Sequence, residues 1–170
     1  MSSSDAAQAA AKRNLVVKRT FDAPLEQVWK AWSDADEVMR WWGPDGFTAP
    51  SAQMDFREGG VSLVCMRAPQ EFGGQDLYNT WTYGEIVPME RIEFFTHLSD
   101  KDGNTVTPES LGFPADFPQG IRSVVTFKAL GDRQTEVTVT EYDYAADSSM
   151  YELSKTGMEQ CLEKMAKTFV

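Results

Sequence analysis

Apolar and polar positions follow two rhythms along this chain, and the change of rhythm divides it into elements. From Ser149 to Val170, the residues Met150, Leu153, Met158, Cys161, Leu162, Met165 and Phe169 recur at three- and four-residue steps. That spacing gathers them on one face of a long amphipathic helix. Lys155, Glu159, Glu163, Lys164 and Lys167 fall largely on the other face, toward water. Ser149 with Glu152 is a capping-box pattern and marks the helix start.

The front of the chain is mixed. Asn14 to Phe21 is β-branched and aromatic, a strand. Pro24 suits a first helical turn, and Leu25, Val28, Trp29 and Trp32 follow at helical spacing. Asp34 and Glu37 form another capping box, opening a short helix with Val38, Met39, Trp41 and Trp42 that Gly43-Pro44 stops.

From Phe47 to Tyr144 the period is that of strands. They run over 47–56, 61–67, 77–87, 91–98, 121–130 and 135–144, joined mostly by short turns, and so form an antiparallel meander. Pro50 makes the first of these an edge or bulged strand. Glu58-Gly59-Gly60 is a hairpin turn and not a phosphate loop, since no helix N-terminus or Lys-Ser/Thr pair follows it. Ser99 to Gly120 is a long excursion bearing Leu111, Phe113 and Phe117, which predicts that part of it packs down as a lid over one end of the sheet. A curved antiparallel sheet of seven strands must bury one face, and the terminal helix alone is long enough to cover it. The class is α+β.

Composition adds limits. A chain of 170 residues is long enough for one domain with a substantial core, and no boundary or internal repeat divides residues 14–170. Residues 1–13 are small and polar, read as a flexible arm. The formal charge of −10 and the scattered Lys and Arg make nucleic acid and anionic membrane poor partners. No apolar run approaches the roughly 20 residues of a membrane span, and no secretory core precedes the domain, which favours the cytoplasm. Cys65 and Cys161 are expected as buried free thiols, and a lone histidine with no Cys-x-x-Cys offers no zinc site. No metal or other cofactor is expected. A homodimer is the default oligomer.

VVKRTFDAPLEQVWKAWSDADEVMRWWGP resembles the opening of the START-like (SRPBCC, helix-grip) superfamily. More narrowly, it resembles the bacterial branch homologous to the activator of the heat-shock-protein-90 ATPase. The matching residues are Arg19, Phe21, Ala23 and Pro24 at the strand-to-helix junction, Val28-Trp29, and Trp41 to Pro44. FREGG, YGEIVPMERIEF, TEVTV and GMEQCLEKMAKTF continue it in order over about residues 14–169. The resemblance implies a sheet wrapped around the C-terminal helix, with a ligand site in the hollow between them. It also departs from the family's pattern: Met158 stands where similar proteins often carry Trp, and the 99–120 connection is longer than usual.

Three functions follow as expectations. The leading one is a carrier or sensor of a small hydrophobic or amphipathic molecule. The resemblance implies a second, a chaperone-associated module partnering a heat-shock ATPase, although the chain carries no counterpart of the separate N-terminal domain of the eukaryotic activators. The third is a cyclase- or hydrolase-type enzyme in the same hollow. Whether the chain is an enzyme is open, and the balance leans against it.

Period two puts Leu77, Asn79, Trp81, Tyr83 and Glu85 on one strand face. Trp81, Tyr83, Phe95 and His97 are read as inward, because polar groups amid aromatics suit a pocket. Met54, Met66, Met158 and Met165 suit either an adaptable pocket wall or core filling; Trp41 and Trp42 are read as structural, one ring closing a sheet end and the other at the mouth, and Trp42 is counted with the site. With Phe56, Cys65, Phe127, Cys161 and Leu162 these residues, Met66 and Trp41 apart, make the expected ligand-binding set. His97, paired with Glu85 or Glu141, is the leading candidate for acid–base catalysis, and Glu141 with Asp143 could do such work if their face is inward. Glu141 and Asp143 are read as solvated charge. Gly157 costs helix stability, offset either by close approach to a strand or by room for a ligand.

Overall fold

The computed structural model describes residues 12–145, 148 and 150–169. The expected arm lies outside these residues up to position 11, as does the expected cap Ser149. Lys12 and Arg13 already belong to the first strand, β1 (Lys12–Phe21).

Helix α1 (Leu25–Ser33) begins directly after Pro24, which occupies the cap position with an extended backbone. Helix α2 (Ala35–Trp41) is capped by the Asp34 side chain, which accepts a hydrogen bond from the Glu37 N–H at 3.2 Å. Gly43 ends the helical stretch at φ 105°, a conformation that favours glycine. The strands are β2 (Thr48–Gln53), β3 (Val61–Arg67), β4 (Asp76–Val87), β5 (Arg91–Ser99), β6 (Ile121–Ala129) and β7 (Thr135–Ala145), and α3 (Met150–Lys167) closes the chain. Every expected element is present.

All strand pairings are antiparallel, in the order β1-β7-β6-β5-β4-β3-β2. β2 is an edge strand, and its register slips between Thr48 and Ser51, around Pro50. There the missing proline N–H would otherwise break the ladder. The class is α+β, a sheet wrapped on a C-terminal helix. Among the described residues, no helix is long and apolar enough to cross a membrane.

Two halves of the concave face are filled differently. Over one half, α1 and α2 deliver Trp29, Trp32 and Trp41 against the sheet, where Trp81, Tyr83, Ile92, Val125, Phe127 and Val139 are buried. The Trp41 and Trp32 rings meet at a tilt, 4.7 Å between centres, and Trp41 Nε1–H donates to the Ala31 carbonyl at 2.8 Å. Leu162 and Met165 of α3, both fully buried, complete this packed half. Over the other half, among the described residues, α3 is the α-helix that lies above the sheet.

α3 is fastened at each end. Tyr151 O–H donates to the Asn14 carbonyl at 3.2 Å, beneath the Arg13 guanidinium at 3.4 Å from the ring centre. Further along, the Lys164 ammonium donates to the Gly43 and Phe47 carbonyls at 2.9 and 3.0 Å. The second contact ties α3 to the turn that stops α2.

Candidate functional site

The under-filled half of the concave face holds a cavity of about 300 Å³, partly open to solvent. Its floor comes from the sheet: Met66 of β3, Leu77 and Asn79 of β4, and Phe94, Thr96 and Leu98 of β5. β6 adds Ile121 and Ser123, and β7 adds Glu141 and Tyr144. The first half of α3 forms the roof through Met150, Leu153, Ser154, Gly157, Met158 and Cys161. Leu153, 65% exposed, stands at the rim.

The 99–120 excursion packs down as expected and supplies Phe113, Phe117, Pro118 and Gln119. Phe113 and Phe117 stack at 4.5 Å. Gln119 pins the segment, accepting from the Leu98 N–H at 2.7 Å and donating to the Val106 carbonyl at 2.8 Å.

A bulge shapes the polar corner of the site. Between Arg13 and Leu15 of β1 the partners on β7 step from Tyr144 to Glu141, so β7 carries one extra residue. Asp143 takes it up at φ 65°, its N–H donating to Asn14 Oδ1 at 3.3 Å. Glu141 and Tyr144, which strict alternation would put on opposite faces, therefore both face the hollow. Tyr144 O–H donates to Glu141 Oε1 at 2.7 Å. Protein surrounds the Glu141 carboxyl except where it meets the void, and this burial holds it above the ordinary carboxylate range, against the opposing hydrogen bond from Tyr144. Burial likewise raises the Tyr144 hydroxyl, with the neighbouring Glu141 adding to the effect. The Cys161 thiol is pushed up to about 12 by burial and so stays protonated.

The expected ligand-binding residues divide three ways. Trp42, Met158 and Cys161 line the cavity. Trp81, Tyr83, Phe127, Leu162, Met165, Met54 and Phe56 are inside the grip but belong to the packed half. Tyr83 O–H is bonded to Ser62 Oγ at 2.9 Å, and Phe127 meets Trp29 at 4.9 Å between ring centres. The tryptophans of α1 and α2 fill the space that these residues would otherwise have offered. Phe95, His97 and Cys65 form the third group and are a correction. Phe94, Thr96 and Leu98 face the cavity, so Phe95 and His97 point from the opposite face of β5. Cys65 pairs across from Tyr78, on the face away from Leu77 and Asn79.

His97 consequently does not meet Glu141, which is on the cavity side, and Glu85 is taken by an ion pair with Arg91 at 2.9 Å. The proposed acid–base pairs do not form. The reading of Glu141 as solvated charge is also corrected, because its strand carries it inward. Both cysteines are free and buried, on opposite faces of the sheet.

A seven-stranded antiparallel sheet gripping a C-terminal helix, with a hollow between them, defines a START-like, helix-grip protein. The chain belongs to the family described as Activator of Hsp90 ATPase homolog 1-like protein, whose sequence profile matches residues 22–170. Solved structures agree on the fold. The solution structure of a Staphylococcus epidermidis protein is similar with a TM-score of 0.74 at 22% identity, over 93% of this chain and 90% of that one. An Arthrobacter aurescens protein gives 0.73 at 22% identity, over 92% and 85%. The crystal structure of an AHSA1 protein from Silicibacter pomeroyi gives 0.70 at 18% identity, over 92% and 96%. A search of curated proteins returns no match.

Proposed function

We propose that this protein binds one small hydrophobic or amphipathic molecule in the hollow between α3 and the sheet. The observation that carries the reading is the cavity of about 300 Å³, at the lower end of the usual size of ligand sites, walled mostly by apolar and aromatic side chains with a few polar groups among them. Cores are normally packed without voids much larger than a water molecule, so a space of this size needs a reason. Its walls are assembled from five strands, the helix and a lid that Gln119 anchors on both sides. Gly157 adds weight, since its missing side chain is part of the open volume.

Among the described residues, nothing in the cavity joins a nucleophile to a base. The cavity's thiol, Cys161, is held protonated by burial, and the histidine is on the far face of β5. These features favour binding over covalent chemistry. A heat-shock ATPase partner rests on the family's description alone.

Titration with the neutral fluorophore N-phenylnaphthylamine tests the reading. The expected result is saturable one-to-one binding to the native protein and its loss in Met158→Trp, whose indole fills the roof. A folded Met158→Trp protein that binds the probe undiminished would overturn it, as would no saturable binding to the native chain.

A further inference from the structure

Among the described residues, Glu141 is the one side chain of formal charge on the cavity wall, and no cation accompanies it. The groups around it can be taken element by element. β1 presents Leu15 and β6 presents Ser123 at its register, neither of them titratable in the ordinary range. On β7 its neighbour is Tyr144, which is already bonded to it. α3 presents Ser154 and the protonated Cys161. Lys164, further along that helix, is committed to the carbonyls of Gly43 and Phe47. Gln119 of the lid spends both ends of its amide on Leu98 and Val106.

A carboxyl in an apolar hollow without a counter-charge is an unusual thing for a fold to keep. Buried charges are normally paired, and one left unpaired is neutralised instead. Here Glu141 points inward in step with Val137 and Val139, the bulge at Asp143 brings Tyr144 to the same side, and the Tyr144 O–H holds Oε1 of the carboxyl. Aromatic rings flank the hollow: Phe94 from the floor, Tyr144 beside the acid, and Phe113 and Phe117 from the lid. A cation seated there would gain a charge-assisted hydrogen bond and the attraction of ring faces, while its apolar body lay along Leu77, Leu98 and Met158.

We propose that the molecule held in this cavity is a lipophilic amine, bound as its ammonium with the positive end on Glu141. This inference rests on the binding reading above and specifies the chemical class of the ligand. With the ammonium seated, the charged form of Glu141 is favoured, and any proton the carboxyl holds passes to solvent as the ion pair forms. An anionic amphiphile of the same length meets an acid with no cation to receive it, and is disfavoured. A neutral alcohol gains the apolar burial and one ordinary hydrogen bond.

Displacement of N-phenylnaphthylamine by decylamine, decanol and decanoate separates these cases, in the native protein and in Glu141→Gln. The native protein is expected to rank decylamine first and decanoate last. The amine should lead the alcohol by about tenfold or more, equivalent to about 1.4 kcal/mol. Glu141→Gln keeps the amide near the shape of the acid and removes the charge. With decylamine measured against decanol in the same variant, the amine's lead over the alcohol should collapse. A second readout needs no variant. Native affinity for decylamine should rise with pH as the acid titrates and then level, while affinity for decanol should not rise.

If the probe binds and the three competitors displace it alike, or if the amine's lead survives in Glu141→Gln, the amine inference fails and the cavity reading stands. If the probe does not bind the native chain at all, the cavity reading fails and this inference with it.

Discussion

Replacing Gly157 with Ala asks whether helix stability has been given up for open space. Gly157 sits inside α3, with seven helical residues before it, where glycine is about 1 kcal/mol worse than alanine. Such a cost persists when a side chain would clash. Here it would not: a Cβ built on Gly157 meets nothing nearer than the Pro44 Cβ at 4.0 Å, an ordinary contact. The full propensity gain should therefore appear, with up to about 0.5 kcal/mol more from burying part of a methyl group against Pro44. For a chain of 170 residues, about 1 to 1.5 kcal/mol corresponds to a rise of roughly 2 to 6 °C in Tm. Thermal unfolding followed by far-UV circular dichroism reads this, with urea midpoints at unchanged slope as the check. An unchanged or lower Tm would show that the position needs glycine for its backbone, and the link between Gly157 and the cavity would be lost.

Other substitutions probe the remaining contacts. In Glu141→Gln, stability should change little at about pH 4 and rise at about pH 8. The native acid is held above its unfolded value of about 4.3, so the stability it contributes is complete below that value and is lost as pH rises through the folded one. Parallel pH profiles for the two proteins, from denaturant midpoints, would refute this. Lys164→Met should cost about 1–2 kcal/mol, because the Gly43 and Phe47 carbonyls lose their charged donor; an unchanged urea midpoint would count against the contact. Gln119→Ala should release the lid, speeding hydrogen exchange across 99–120 while β6 and β7 stay protected; exchange unchanged in that segment would contradict the pinning role.

Much of the fold was legible because it is written in local patterns. The helical steps from Met150 to Phe169, the Asp34 cap and the Gly43-Pro44 stop each depend on neighbours in sequence, and each is present in α3, in α2 and after it. The strand boundaries were legible for the same reason. The site was much less so. Period two divides β5 into two sets of residues but cannot say which faces inward, and the large aromatic at 95 together with His97 pointed to the wrong set. Inwardness is decided by the register with β4 and β6, which pairs Phe94 with Tyr83 and Ser123. Trp81, Tyr83 and Phe127 were correctly expected inside, yet which half of the hollow stays open depends on where α1 and α2 lay their tryptophans.

Glu141 was missed for a different reason. Glu141 follows the inward step of Val137 and Val139, but its charge and its alternation with Asp143 pointed to solvent; one extra residue in β7, absorbed at Asp143 in a left-handed conformation, takes Asp143 off that face and puts Tyr144 there instead. Asp is among the few non-glycine residues that adopt this conformation readily, so the Asp143 side chain was a faint signal of the bulge. The Gly157 signal was clearer, since a glycine amid good helix formers demands an explanation. Of the two offered, room beside Met158 fits the geometry, while close approach to a strand does not.

Crystals of the native protein soaked with iodobenzene put the open hollow to the most direct test, because the iodine marks its position by anomalous scattering. The account predicts one strong peak between Phe94, Tyr144 and Met158, beneath the first half of α3. Side chains closing that space with no peak, or iodine bound only at the surface, would contradict it.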